Sequence, residues 1–258
     1  MEDNKIDLGS GDGMKMEKGK VAKWLENFFY HYKWHTLIAL FLIVAITVCT
    51  FQMCRKESYD TYIMYAGSRD IRGSKKESDT ELSEYTKVYK SLLEAVGDFN
   101  DDGKRTASFE ALYMLSNDEI REIEEQLKES DEGLELTYSV LLENNKIFKE
   151  RIIYGEYYVC LLSKSLYEAY KVVEGVTMFV PLSSFVEEGR SVSYLDDSAI
   201  YLNSLDFGKL PGLEEMPEDT VVVLRTKNAV SSKFNKKETE KLYERSKEVI
   251  RNIINYDY

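Results

Sequence analysis

The chain has 258 residues and a net charge of −12. Residues 1–54 hold six lysines and six acidic residues, so the whole excess lies in residues 55–258. A region of that sign repels nucleic-acid phosphates and anionic lipid surfaces, which excludes nucleic acid as a partner. The two histidines, His31 and His35, fall outside residues 55–258. That removes Ser-His-Asp and Cys-His catalysis, and histidine-ligated zinc, from the larger region. Cys160 is the lone cysteine there, so an internal disulfide and a four-cysteine metal site are excluded as well. Within "YYVCLL" it reads as a small buried hydrophobe.

Residues 1–35 read as a polar tail followed by an amphipathic, aromatic-rich interfacial helix. Val21, Trp24, Leu25, Phe28 and Tyr32 follow helical spacing, with Lys15, Lys18, Lys20 and Lys23 before or among them. "WLENFFYHYKWH", residues 24–35, carries six aromatics, and such rings settle at the headgroup level of a bilayer. "TLIALFLIVAITVCTFQMC", residues 36–54, is 19 residues without a charge. At about 1.5 Å per residue it just spans a hydrocarbon core of roughly 30 Å.

The region ahead of this run is too long for a cleaved signal peptide, and no small-x-small site follows it. A lipoprotein site fails because Val48 and Met53, which precede Cys49 and Cys54, are too large. The segment therefore reads as an uncleaved signal anchor, with the lipid bilayer as its partner. Lysine and arginine are tied across it: Lys18, Lys20, Lys23 and Lys33 before, Arg55, Lys56, Arg69 and Arg72 after. The basic, aromatic stretch suits the anionic cytoplasmic leaflet. That places the N-terminus inside and residues 55–258 outside.

After a short tether, "YDTYIMYAG" alternates and ends on glycine, a strand pattern. Ser78 and Glu81 have capping-box spacing ahead of a helical stripe of Leu82, Tyr85, Tyr89, Leu92, Leu93 and Val96, with Gly97 as the stop. "ASFEALYML" reads as a strand. Ser116 and Glu119 make a second capping box, with Ile120, Ile123 and Leu127 on one face. "ELTYSVLLENNKIFKERIIYG" reads mostly as helix, closed by Gly155. "YYVCLL", "VTMFV" and "TVVVL" are short apolar runs suited to central strands covered on both faces, and "KSLYEAYKVV" is a short helix between the first two. A last helix starts near Lys236, with Leu242, Val249, Ile250 and Ile253 inward. Strands alternating with helices predict an α/β sheet covered on both sides. Pro181, Pro211 and Pro217 all lie in the irregular region 181–217, where a lid or binding edge is expected.

One loop carries metal-site letters. In "GDFNDDGKR", Asp98, Asn100, Asp102 and Gly103 fit positions 1, 3, 5 and 6 of a calcium loop, and Lys104 offers a carbonyl at 7. Position 12 is Phe109, so the bidentate acid is missing, and Glu110 is one residue late. Asp, Asn and Gly also favour turns through their own side-chain bonds. The reading is first a helix-to-strand turn without a cofactor, and second a weak structural calcium site. Residues 55–258 hold 17 of the 19 tyrosines. Most fall on helix stripes or in strands; Tyr194 and Tyr201, in the irregular region, are the candidates for ligand contact.

"KWLENFFYHYKWHTLI", "YIMYAG", "DFNDDGK", "FVPLSSF" and "MPEDTVVVLRTKN" together resemble a group of single-pass membrane proteins of clostridia and related Gram-positive bacteria. That resemblance implies an extracytoplasmic domain. "YGEYYVCLLSKSLYEAYK…FVPL" also resembles a segment of the extracellular solute-binding proteins of ABC transporters, where a buried strand leads to a short helix and then a "PL" turn. It implies an α/β domain similar to a single, reduced lobe of a type II periplasmic-binding-protein-like fold; no ligand residues carry over. The expectation is a non-enzymatic, membrane-anchored extracytoplasmic domain binding a protein partner or small solute. Its alternatives are an envelope assembly protein without a pocket and a carboxylate-dependent hydrolase.

Overall fold

The computed structural model describes residues 19–54, 59–72, 83–115, 120, 121, 125, 132–227 and 236–258. The chain forms two compact units, Met1–Ser58 and Tyr59–Tyr258. The expected capping boxes at Ser78/Glu81 and Ser116/Glu119, and the positions Leu82, Ile123 and Leu127, lie outside the described residues.

In the first unit, helix α1 runs Lys20–Cys54 without a break. The expected interfacial helix and spanning helix are one element, because no glycine or proline interrupts residues 20–54. Its stretch Tyr30–Thr50 is long and apolar enough to cross a membrane, and none of it is buried against protein. It starts six residues before, and ends four before, the span read from the sequence. Thr47 and Thr50 donate their hydroxyls to the carbonyls of Ile43 and Ile46, each at 2.7 Å, so neither side chain adds an unsatisfied polar group.

The second unit is built on a six-stranded mixed sheet. Its strands are β1 (Thr61–Gly67), β2 (Ala107–Tyr113), β3 (Val159–Ser163), β6 (Tyr194–Asp196), β7 (Ala199–Tyr201) and β8 (Thr220–Leu224), in the order β2-β1-β3-β8-β7-β6. β1 is parallel to both β2 and β3. From β3 outward every pairing is antiparallel. A separate hairpin joins β4 (Val172–Val173) to β5 (Val176–Thr177). The helices are α2 (Glu84–Leu93), α3 (Glu132–Tyr154), α4 (Lys164–Tyr170) and α5 (Lys236–Ile254).

Ser83 caps α2, its hydroxyl accepting the Thr86 N–H at 3.3 Å, a cap that the sequence reading did not name. Several local readings hold. Gly155 closes α3, donating to Arg151 O. β3 and β8 are wholly buried, and α5 buries Val249, Ile250 and Ile253 with Leu242 half-buried. Cys160 is fully buried, forms no disulfide, and donates its thiol to Tyr157 O at 3.6 Å.

Others are corrected. β1 does not alternate: it is buried on both faces apart from Tyr62, because one core packs over Ile63 and Tyr65 and the other over Met64 and Ala66. Gly97 does not end α2, which stops at Leu93 in a tight turn; Gly97 instead packs against the Phe99 ring. "VTMFV" is not a central strand. Its Val176 and Thr177 form half of the exposed hairpin, whose turn places Glu174 and Gly175 at φ 51° and 80°. Only Met178 and Phe179 go inward, Phe179 bridging to Arg225. Within region 181–217, residues 202–216 form a packed layer. Leu202, Leu205, Phe207, Leu210, Leu213 and Met216 are all buried, and a Cβ on Gly208 would collide with the Leu202 carbonyl.

Two cores result, one on each sheet face. The first joins Ile63, Tyr65, Val88, Leu92, Phe207 and the α5 residues; the second joins Met64, Ala66, Phe148, Ile152, Cys160, Leu166 and Tyr167. The free edge of β2 is blunted by side chains: Tyr85 donates to Phe109 O and Asn144 to Tyr113 O.

Candidate functional site

The acidic loop is a self-bonded turn. Asp98 accepts the N–H groups of Asp102 at 3.2 Å and Gly103 at 2.8 Å. Asn100 accepts Asp102 N–H at 3.0 Å, and Asp102 accepts Lys104 N–H at 2.8 Å. Asp101 and Gly103 take left-handed backbone, at φ 58° and 80°, which glycine and aspartate tolerate best. Buried Asp60 clamps both ends of this loop. It accepts from Phe99 N–H, from Thr106 N–H and from the Thr106 hydroxyl, each at 2.9 Å. Among the described residues no group of three or more His, Cys, Asp or Glu is placed to hold a metal ion.

The structure does not bring Tyr194 and Tyr201 together. Tyr194 lies opposite Ile200, and directly paired residues share a sheet face while consecutive ones alternate. Tyr201 is therefore on the other face, where it packs against the second core. Neither ring lines any of the clefts described below.

In open α/β sheets, ligands bind outside the carboxyl ends of parallel strands where the strand order reverses. Here that point is the end of β1, between β2 and β3. On the first-core side it is filled by the chain itself. Arg69 pairs with Glu84 through Nε, with the Glu215 carboxylate through Nη2 at 2.6 Å, and with Glu215 O through Nη1 at 2.6 Å. The Glu84 carboxylate is the main cause that raises the Arg69 pKa. The Tyr65 ring folds over Gly67, and its hydroxyl accepts Arg69 N–H at 3.2 Å. Burial pushes the Tyr65 hydroxyl up to about 12.

On the second-core side there is room. A cleft of about 740 Å³ opens between α3, α4 and the β4–β5 hairpin, and it reaches Leu115 just past β2 and Ser165 just past β3. This is within the roughly 300–1,000 Å³ of small-molecule sites. Lys149 stands on the α3 wall, Glu168 and Glu174 on the opposite one, and Leu166, Tyr170 and Val173 supply apolar surface. The Tyr170 ring is fixed edge-on to Phe148, centroids 5.0 Å apart. Smaller clefts, of about 430 Å³ beside Arg190 and about 360 Å³ beside Tyr167, lie elsewhere on the domain. Arg190 is committed to the tail through Asp257, Asn255 O and Tyr256 O. Tyr167 donates to Asp196 at 2.5 Å, and burial raises its pKa.

Arg225 holds one end of that second face. It is fully buried and has no carboxylate partner among the described residues. Its guanidinium donates to Tyr157 O at 3.1 Å, Ile152 O at 3.2 Å and Gly155 O, and stacks 4.7 Å from the Tyr158 ring centroid. These carbonyls belong to the end of α3 and its exit, where the helix dipole is negative. Burial lowers the Arg225 pKa and pushes the Cys160 thiol up to about 12.

The sequence reasoning missed Lys149, Glu168 and Glu174, because the cleft joins residues from three separate elements. The Glu-Gly pair at 174–175 was the only local signal, since Gly in a two-residue loop marks a hairpin. Comparison of the chain with protein-family models, with curated proteins and with solved structures finds no match. The molecule is a mixed α/β domain that follows one N-terminal helix apolar enough to span a membrane.

Proposed function

We propose that this chain is a membrane-anchored, extracytoplasmic binding domain without enzymatic activity, held on the outer face of the cytoplasmic membrane. The observation that carries this reading is the pairing of one wholly unburied apolar helix with a domain whose largest described cleft opens at the carboxyl ends of its parallel strands. The parallel β2-β1-β3 core, backed by helices on both faces, supports likeness to a single reduced lobe of a type II periplasmic-binding-protein-like fold. The lack of histidine in residues 55–258 supports binding over catalysis. The basic, aromatic helix start supports an N-terminus inside.

Protease added to intact cells tests the topology. The region Tyr59–Tyr258 should be cleaved from outside; full protection until lysis overturns the reading. A second reading, an envelope interaction protein using no pocket, draws on the hairpin, where Val172 and Val176 are 53% and 61% exposed. Under that reading Val176→Asp abolishes partner capture, and small solutes leave the melting temperature unchanged.

A further inference from the structure

We propose that the cleft between α3, α4 and the β4–β5 hairpin takes a small zwitterion: a free amino acid or a short peptide with unblocked ends. Its carboxylate would sit at Lys149 and its ammonium at Glu168 and Glu174. The inference rests on the binding-domain reading and deepens it.

The first argument is charge. Lys149 comes from one wall, Glu168 and Glu174 from the other. None of the three forms an ion pair with a described residue, whereas nearby Arg151 is matched by Glu110 at 2.9 Å. A neutral ligand filling this space would strip water from three charges and return no partner, which is costly. A simple anion would meet two carboxylates, and a simple cation would meet Lys149. A molecule carrying both charges satisfies both walls with charge-assisted hydrogen bonds.

The second argument is backbone. Glu174 and Gly175 both have positive φ, as the favoured two-residue hairpin turn requires. Glycine, asparagine and aspartate enter that conformation cheaply, and glutamate does not. Glu174 is thus a poor choice for the turn. Glu174 lines the cleft, and an unfavourable conformation kept at a site edge points to a role there. The third argument is the floor. Leu166 is buried, Tyr170 and Val173 are half-buried, and together they offer an apolar surface to an aliphatic side chain.

Calorimetry and thermal melting on the full chain in detergent micelles test this, with L-leucine and L-valyl-L-valine as probes. N-acetyl-L-leucine amide and maltose serve as uncharged controls. The zwitterions should release or absorb heat and raise the melting temperature; the controls should do neither. Lys149→Met should weaken dipeptide binding about tenfold, the loss of one charge-assisted contact. Glu174→Asn should raise the melting temperature of the free protein yet weaken the dipeptide by a similar factor. A purely structural Glu174 would show the first effect without the second, and that result overturns its assignment. Binding of the blocked amide or maltose in place of the zwitterions overturns the ligand class and keeps the binding-domain reading. Silence with every probe overturns both the ligand class and the cleft as a solute site, while cleavage from outside the cell still reports on the anchor.

Discussion

The two faces of the sheet are covered by similar amounts of helix but closed to different degrees. On the first face, α2, α5 and residues 202–216 interlock. Ser91 donates to Pro211 O at 2.8 Å and Asn252 to Ala95 O at 2.9 Å, while Arg69 ties the end of β1 to Glu215. Glycines at 208 and 212 let backbone approach backbone there, Gly212 lying against Val88. On the second face, α3 and α4 diverge around an open cleft, and α3 leaves Val140 and Leu142 exposed. Its helix is fixed at one end by Arg225. One sheet thus carries a face closed at the end of β1 by its own chain and a face with the larger cleft there. Cores tolerate few voids, so space kept at the carboxyl ends of parallel strands is where function is sought.

The largest expected effects break each face at its centre. Phe207→Ala on the sealed face should cost about 3–5 kcal/mol in urea unfolding, since a fully buried ring leaves a cavity in a layer that has little freedom to collapse. Arg225→Met on the open face should cost about 2–4 kcal/mol, because three carbonyls lose their donor. The contrast is sharpened if Arg225→Met also weakens ligand binding through a loosened α3, while Phe207→Ala on the first face leaves affinity unchanged in the folded fraction.

Alkaline pH separates the faces next. Tyr65 lies in the first core and Cys160 in the second. Burial raises both from ordinary values of 10.0 and 9.0 to about 12. A group with a raised folded pKa contributes stability that is complete below its unfolded pKa and is lost as pH rises through the folded one. Stability should therefore fall between about pH 9 and 12. Tyr65→Phe should flatten the part above pH 10, and Cys160→Ala the part that begins near pH 9, as read by urea titrations at each pH.

Smaller effects belong to the loops. Asp98→Ala should cost about 0.5–1 kcal/mol in calcium-free buffer, because the Gly103 N–H loses its acceptor while the Asp102 N–H keeps Asn100. A calcium-dependent rise in melting temperature, present in the parent and lost in this variant, would add a metal to the turn; none is expected at micromolar calcium. Tyr194→Ala should change stability by less than about 0.5 kcal/mol, as for surface positions outside special features. It should also leave dipeptide affinity untouched, since its ring lies away from the cleft. A loss of affinity there would move the binding surface to the β6 edge.

What the sequence alone determined was whatever depends on neighbours along the chain. The uncharged run in α1, the buried runs of β3 and β8, the α5 stripe and the turn letters of residues 98–103 are local patterns, and each formed the predicted kind of element. Tertiary structure decided the rest. β1 looked half-exposed until a core packed on each of its faces. Region 181–217 looked like a lid because prolines and polar residues mask its spaced Leu and Phe, which only a waiting core surface can collect. Tyr194 and Tyr201 both looked like candidates for ligand contact, and strand pairing sets them on opposite faces. Arg225 and Lys149 carried no signal at all. A buried cation needs carbonyls from a helix end 70 residues away, and a cleft needs walls from three elements. Periodicity reports which way a side chain faces, but only the fold decides what it faces.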